Sequence, residues 1–433
     1  MLISELKVEF LASIELIPTT QWNSLMQGSA NSVNPFTRHQ YLSALEKSRC
    51  VCTKSGWTPM HLSVLYKGKR IAVMPLYNKT HSYGEYVFDW AWAEAYERNH
   101  IEYYPKLLSA IPFTPVTGNR MGIDVSLSGK ATADVITFIF QSLNQEVTRG
   151  EYSGWHCLFM PKTQHNCISN TQRSLLPIST SIQSPLETSL GLEQATPPLK
   201  RTGTQFHWQN HDYRDFADFL STMSSRKRKN IIKERAKAIN QGYTFRFIEG
   251  ELVTDAQWQA FYYCYQITYA KRSGHYGYLN LEFFKLLGKT MAEQVLLLVV
   301  EKPITLADNT SSLINESDTS QIVAAAIYFK SDTHLYGRYW GALESADVLH
   351  FEACYYQGIE YCIKHGLDTF DAGAQGEHKI ARGFEPVVTY SNHEIAHPAF
   401  REAIEGFVQQ ESEQNRRYMI EAAKLLPFKD KGK

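Results

Sequence analysis

Five side chains able to bind substrate or move protons crowd into eight residues of the run Asp371-Ala-Gly-Ala-Gln-Gly-Glu-His-Lys-Ile-Ala-Arg-Gly-Phe384: Gln375, Glu377, His378, Lys379 and Arg382. Acyl transfer to an amine needs a base to free the nucleophile's lone pair, donors for the carbonyl oxyanion, and an acid for the leaving group. Glu377 or His378 is the first candidate for base, with Lys379 and Arg382 as cationic partners and Gln375 as a substrate contact. The glycines of the run permit close backbone approach. A polar surface turn is the plainer reading of the same residues. Tyr339 and Tyr336 are candidates for acid or carbonyl donor, set against the packing role that strand aromatics usually have. Glu352 and His350, a turn into a helix, are alternative bases.

A second chemical feature is SSRKRKNIIKERAKAINQG, where Arg226, Lys227, Arg228, Lys229, Lys233, Arg235 and Lys237 face a single Glu234. Ser224 and Ser225 offer N-caps, and Gly242 offers a stop before a strand over 243–248. Cations on the first turn of a helix hold phosphate together with free backbone N–H groups, so Arg226, Arg228 and Lys229 are candidate substrate contacts. A solvated basic face is the alternative.

The elements that carry these residues repeat. Residues 71–86 read IAVMPLYNKTHSYGEY and residues 322–339 read IVAAAIYFKSDTHLYGRY, which predicts a hairpin with an aromatic second strand in each copy. His81, Tyr83, Gly84 and Tyr86 thereby match His334, Tyr336, Gly337 and Tyr339. Downstream, Ala133–Phe138 parallels Ala346–Phe351, each opening a helix that runs into a strand. In copy two Leu349, Ala353, Tyr356, Ile359 and Ile363 form one helical stripe, and His365-Gly366 ends it before a strand over 367–370. The 371–384 run therefore leaves a strand's C-terminal end, where α/β sheets place ligands. Copy one holds extra chain over about 89–128, rich in aromatic and ionisable groups, and a lid of this kind makes Asp89, Trp90 and Arg120 candidate substrate contacts. A polar stretch over 179–204 reads as a surface connection, placing one unit at 1–200 and the next at 201–433. Residues 307–321 read as a disordered loop interrupting a hairpin.

The 433 residues suit two domains with large cores, given 25 Tyr, 22 Phe and 8 Trp. Formal net charge is +0, so no global field draws the chain to nucleic acid or lipid. The seven cysteines lack paired C-x-x-C spacing and read as reduced core thiols, with no metal implied. The N-terminal apolar run carries Glu5, Lys7, Glu9 and Glu15, and no uncharged apolar run reaches 18 residues, so the expectation is a cytosolic protein without an integral membrane segment. No G-x-S-x-G, G-x-x-x-x-G-K-[ST], H-E-x-x-H or G-x-G-x-x-G signature is present, which ranks hydrolase, NTPase and dehydrogenase readings low.

The R-x-R-x-N-I pattern at 226–231, opening the second of two fused units, resembles the Fem-type family of aminoacyl and peptidyl transferases. NPFTRHQYLSALE, PFTPVTGNR, SSRKRKNIIKER and GAQGEHKIARGFEP make the chain most similar to a Fem-like branch described by peptidoglycan biosynthesis or recognition, over most of its length. That resemblance implies an α/β fold of mixed sheets in two tandem N-acetyltransferase-like (GNAT) domains. It implies an activated acyl or aminoacyl group passed to an amine, with UDP-linked muropeptide and aminoacyl-tRNA as the family's substrates. By the same analogy Arg228 would contact substrate phosphate.

Coenzyme-A-binding acetyltransferases carry a Q/R-x-x-G-x-G/A loop after their fourth strand; copy two offers Trp340-Gly-Ala-Leu-Glu-Ser345 there. Acyl-CoA is thereby weakened as donor, though an acyl-CoA N-acyltransferase stays open, as does a non-catalytic module that binds muropeptide precursors. No cofactor is implied with certainty beyond such a donor.

Overall fold

A computed structural model describes residues 3–28, 33–171, 197–304, 320–344, 347–374 and 376–429. In the second half, strand Thr244–Glu249 leads to helices Asp255–Ser273 and Leu281–Thr290, then to strands Val295–Pro303, Ser320–Lys330 and His334–Ala342. A helix follows as Asp347–Phe351, Glu352–Tyr356 and Gln357–His365, its middle turn wound as a π-helix. Strands Thr369–Asp371 and Glu385–Ile395 and helix Pro398–Lys424 complete this half. The first half has the same order: strand Leu6–Leu11, helices Thr19–Gln27 and His39–Lys47, strands His61–Tyr66 and Lys69–Met74, later helix Gly129–Thr148 and strand Gly154–Met160. The chain is thus α/β with mixed sheets, built from two copies of one unit.

Local sequence explains the elements. Strand Val295–Pro303 opens with six fully buried apolar residues, the signature of a strand covered on both faces. With period two, Val295, Leu297 and Val299 pack with Phe283 and Phe284 of one helical layer, while Leu296, Leu298 and Val300 pack with Ile359 and Tyr356 of the other. Helix Asp255–Ser273 starts at a Thr254/Gln257 capping box and stops at Gly274 in the left-handed region. Gly366, at φ +65°, ends the helix before Thr369–Asp371.

The two halves form one eleven-stranded sheet. Its order is Thr244–Glu249, Val295–Pro303, Ser320–Lys330, His334–Ala342, Thr369–Asp371, Leu199–Gln209, Glu385–Ile395, Gly154–Met160, Lys106–Ser109, Tyr77–Lys79, Trp57–Pro59. A four-stranded sheet of Leu6–Leu11, His61–Tyr66, Lys69–Met74 and Gly122–Ile123 flanks copy one. The seam is the antiparallel pairing of Glu385–Ile395 with Gly154–Met160. A Cβ on Gly154 would lie 2.0 Å from the Glu394 carbonyl oxygen, so the close approach there requires glycine. Across the seam, His156 Nδ1 and His393 Nδ1 stand 2.8 Å apart in full burial.

Three expectations differ. Copy two forms its hairpin, with Tyr336 and Tyr339 on the second strand, but the matching His81–Tyr86 of copy one is a loop with Gly84 and Tyr86 at positive φ. The second strand of copy one is instead Lys106–Ser109, which pairs in parallel with Gly154–Met160 just as His334–Tyr336 pairs with Thr369–Asp371. The extra chain, with helix Trp90–Arg98, therefore precedes that strand rather than following it. Residues 199–204, read as surface connection, already belong to strand Leu199–Gln209; Arg201 is tolerated there because Glu411 accepts from its Nε at 2.6 Å. The rest of the 179–204 stretch up to residue 196, and all but the end of the 307–321 loop, lie outside the described residues.

Candidate functional site

Strands His334–Ala342 and Thr369–Asp371 run side by side only as far as the Tyr336–Asp371 pair, then diverge. Two residues on, Arg338 spans the gap: Nη2 donates to Asp371 Oδ2 at 2.6 Å, Nη1 to the Asp371 carbonyl at 3.0 Å, and Nε to Thr114 Oγ1 at 2.6 Å. Both charges are buried, and His207 Nε2 lies 3.7 Å from Asp371. Burial opposes ionisation of Asp371, yet Arg338 and His207 beside it outweigh that and hold its carboxyl well below the usual range.

The divergence opens into a cleft of about 690 Å³. Gly337 to Trp340 line it from the strand, His350, Cys354 and Tyr355 from the π-wound helix, and Ala372 to Ala374, Gly376 and His378 from the loop. Copy one closes the opposite side with Ser82, Tyr83, Gly84, Tyr86, Phe88, Trp90, Phe113 and Pro115. The two copies of the H-x-Y-G-x-Y pattern thus face one cavity. Phe113 stacks on Tyr278 at 5.2 Å between ring centroids, welding the wall across the halves. Tyr83, Phe88 and Trp90 give the copy-one side an exposed aromatic lip. Arg272, Arg338, His275, His350 and His378 line the cleft, and among the described lining residues there is no Asp or Glu.

His378 is the one residue of the 377–382 helical turn that lines this cavity. Its Nε2 lies 2.8 Å from the Tyr355 hydroxyl. Burial, reinforced by Arg382, Lys379 and Arg272, lowers its pKa and keeps the ring neutral near pH 7. His350, its neighbour at 6.0 Å between ring centroids, is pushed down to about 3 by burial and by Arg272. The loop is built to present His378. Lys379, fully buried, donates to the Gly373 carbonyl at 2.6 Å, and burial lowers its pKa to about 8. Arg382 donates to the His378 carbonyl and to Glu234, each at 2.8 Å, with its guanidinium 3.5 Å above the Phe351 ring.

Of the remaining candidates, Tyr339 and Trp90 line the cleft and the other described ones are placed elsewhere. Glu377 turns away and accepts from the Tyr418 hydroxyl at 2.9 Å on the C-terminal helix. Tyr339 lines the cleft, but its hydroxyl donates to the Phe113 carbonyl at 2.9 Å. Tyr336 is buried in the strand. Glu352 is buried beneath the cleft wall, held by Arg235 at 2.9 Å and Gln357 at 2.8 Å. On helix Ser225–Asn240, Arg226 and Lys229 are exposed and Arg228 half-buried, and none of the three lines the cleft. Asp89 is buried in an ion cluster with Lys106, whose other partner Glu85 lies at 2.9 Å. Trp90 lines the cleft. Arg120 is fully buried and donates to the carbonyls of Val116 at 2.6 Å, Leu158 at 2.8 Å and Gly118 at 2.9 Å, which accounts for its donors within the fold. Gln375 lies outside the described residues.

Sequence reasoning passed over Arg338, Asp371, Arg272 and Tyr355. A signal for Arg338 was present: the second variable position of H-x-Y-G-x-Y is Glu85 in copy one and Arg338 in copy two, opposite charges each buried in an ion pair.

A family model described as peptidoglycan biosynthesis/recognition matches residues 13–430. No curated protein matches the chain in sequence. Similar solved structures include FemX, 12% identical with a TM-score of 0.49, covering 90% of this chain and 98% of that one. A tandem GNAT protein from the clavulanic acid biosynthesis pathway is 10% identical, with a TM-score of 0.40 and coverage of 91% and 99%. L-PGS from Bacillus licheniformis is 9% identical, with a TM-score of 0.45 and coverage of 87% and 97%.

Proposed function

Because the chain belongs to the FemAB-like family of peptidoglycan biosynthesis/recognition proteins, we propose that it is a cytoplasmic acyltransferase that passes an acyl or aminoacyl group to the amine of a peptidoglycan-related peptide. The observation that carries this reading is a neutral histidine, paired with a tyrosine hydroxyl, in a cavity with no carboxylate among its described lining residues, where two parallel strands part. The amine nitrogen attacks the acyl carbonyl carbon, forming C–N while the ester or thioester bond to the donor breaks. His378 takes the proton that the amine loses, and Tyr355, hydrogen-bonded to Nε2, relays a proton to the departing oxygen or sulfur. Residues 338–342 have no strand partner on the cleft side, leaving backbone on that edge for the carbonyl oxygen.

An aminoacyl-tRNA is favoured over acyl-CoA as donor. The segment from the end of the strand onward, Trp340-Gly-Ala-Leu-Glu, lacks the Q/R-x-x-G-x-G/A pattern whose backbone amides hold a pyrophosphate. Arg226, Arg228 and Lys229 remain candidates for phosphate contacts outside the cavity.

Thermal shift of the purified chain with coenzyme A, acetyl-CoA, aminoacyl-tRNA and UDP-linked muropeptide tests the substrates, since a ligand bound to the native state raises the melting temperature. Stabilisation by tRNA or muropeptide, with product formed by wild type and not by His378→Ala, is the expected result. Muropeptide binding with no transfer from any donor would make the protein a recognition module instead.

A further inference from the structure

Helix Ser225–Asn240 is fastened inward and unpartnered outward. On its inner side Ile231 and Ala238 are buried, Glu234 accepts from Tyr356 and Arg382, and Arg235 grips Glu352 and Glu360. Its outer side, at the spacing of one helical face, carries Lys229, Ile232, Lys233, Ala236 and Ile239. Ile232 is 51% exposed and Ile239 63% exposed. Lys229, Lys233 and Lys237 have no hydrogen bond or ion pair among the described residues, and Arg226 continues this charged side toward the N-terminus. The Ser224 amide donates to the Pro427 carbonyl at 2.9 Å, which brings Leu425, also 63% exposed, to the start of the helix.

We infer that this face is a docking surface for an anionic lipid bilayer. Unpaired lysines beside exposed isoleucines are the two halves of interfacial recognition: the cations meet lipid phosphates while the aliphatic groups enter the acyl boundary. Charge complementarity alone would equally suit RNA, but a sugar-phosphate backbone gives an isoleucine nothing to insert into. The ion pairs on the inner side hold the helix in place, so docking requires no rearrangement. The surface lies outside the cavity lined by His378.

The test is co-sedimentation of the full chain with vesicles of phosphatidylcholine alone or with 30% phosphatidylglycerol, roughly the charge density at which basic surfaces bind. Wild type is expected to pellet with the anionic vesicles and to be released by high salt. Lys229→Gln/Lys233→Gln/Lys237→Gln is expected to weaken partitioning about a hundred-fold, at roughly five-fold per cation. Ile232→Ser/Ile239→Ser is expected to weaken it at least about ten-fold. All five positions are on the surface, so unchanged melting curves certify both variants. No binding to anionic vesicles overturns the inference. So does loss of poly(U) binding in the lysine variant with the isoleucine variant behaving as wild type, which would mark an RNA surface.

Discussion

The Arg338 guanidinium and the Asp371 carboxylate meet at 2.6 Å at the point where their parallel strands separate, and both are almost wholly buried. The pair closes the floor of the cleft while neither side chain is spare for proton transfer. Removing one partner leaves the other charge buried alone, which costs about 3–5 kcal/mol, whereas replacing both by apolar groups costs far less. Arg338→Met is therefore expected to lower stability by about that amount in urea unfolding, and Arg338→Met/Asp371→Leu to recover much of it. Equal stability of the single and double variants would show that the pair is not coupled.

His378 must be neutral to accept a proton. Its folded pKa lies below 6.5, so the acid limb of kcat/KM is expected below pH 6.5, with a plateau above it. His378→Ala should reduce kcat by roughly 10²–10⁴ with little change in melting temperature. Tyr355→Phe should shift this limb, because the hydroxyl at 2.8 Å is the ring's hydrogen-bond partner.

The seam between the halves is expected to weaken in acid. His156 is pushed down to about 3 by burial, then by Lys106, and His393 is lowered in the same way, with His156 among its causes. The unfolded chain therefore binds more protons than the native one between about pH 6.5 and pH 3. Stability contributed here is full above pH 6.5 and falls as pH drops through that window. Thermal unfolding followed from pH 7.5 to 4.5 should show a shallower decline in His156→Gln than in wild type.

Arg120→Ala separates a scaffold role from a substrate role. The change strands the carbonyls of Val116, Gly118 and Leu158 in the interior, at about 1–3 kcal/mol for a buried unsatisfied group. A lower melting temperature with unchanged KM at 20 °C is expected. A raised KM with unchanged stability would return Arg120 to the substrate contacts.

The architecture of copy two could be read from periodicity because its strands are apolar runs and its helix carries one stripe ended by Gly366. The reach of the 371–384 run into a cleft was likewise visible, since the run follows a strand, and His378 does line the cavity. Which side chains of that run point inward was not. Glu377 and His378 are adjacent and both eligible as base on paper, and only the turn geometry sends one to Tyr418 and the other to Tyr355. The repeated H-x-Y-G-x-Y pattern identified two chain segments that share a cavity, but similarity of letters did not imply similarity of conformation. In copy one the 25-odd residues after Lys79 leave the sheet and return at Lys106, and a helix formed in between cannot be counted from the pattern alone. The pairing of Arg338 with Asp371 was invisible for a different reason: ion pairing across a sheet depends on which strands are neighbours, and strand order is a non-local property.

The hydrogen-bonded ladder across Glu385–Ile395 and Gly154–Met160 has a bearing on how the enzyme can breathe. Two lobes joined by a linker open like jaws, but two lobes sharing a sheet cannot, because parting them would shear a continuous run of backbone bonds. The rim of the cleft then carries Tyr83, Phe88 and Trp90 on one bank and Ala372 to Ala374 and His378 on the other. Severing the chain between its halves would leave two fragments with raw sheet edges rather than two working modules.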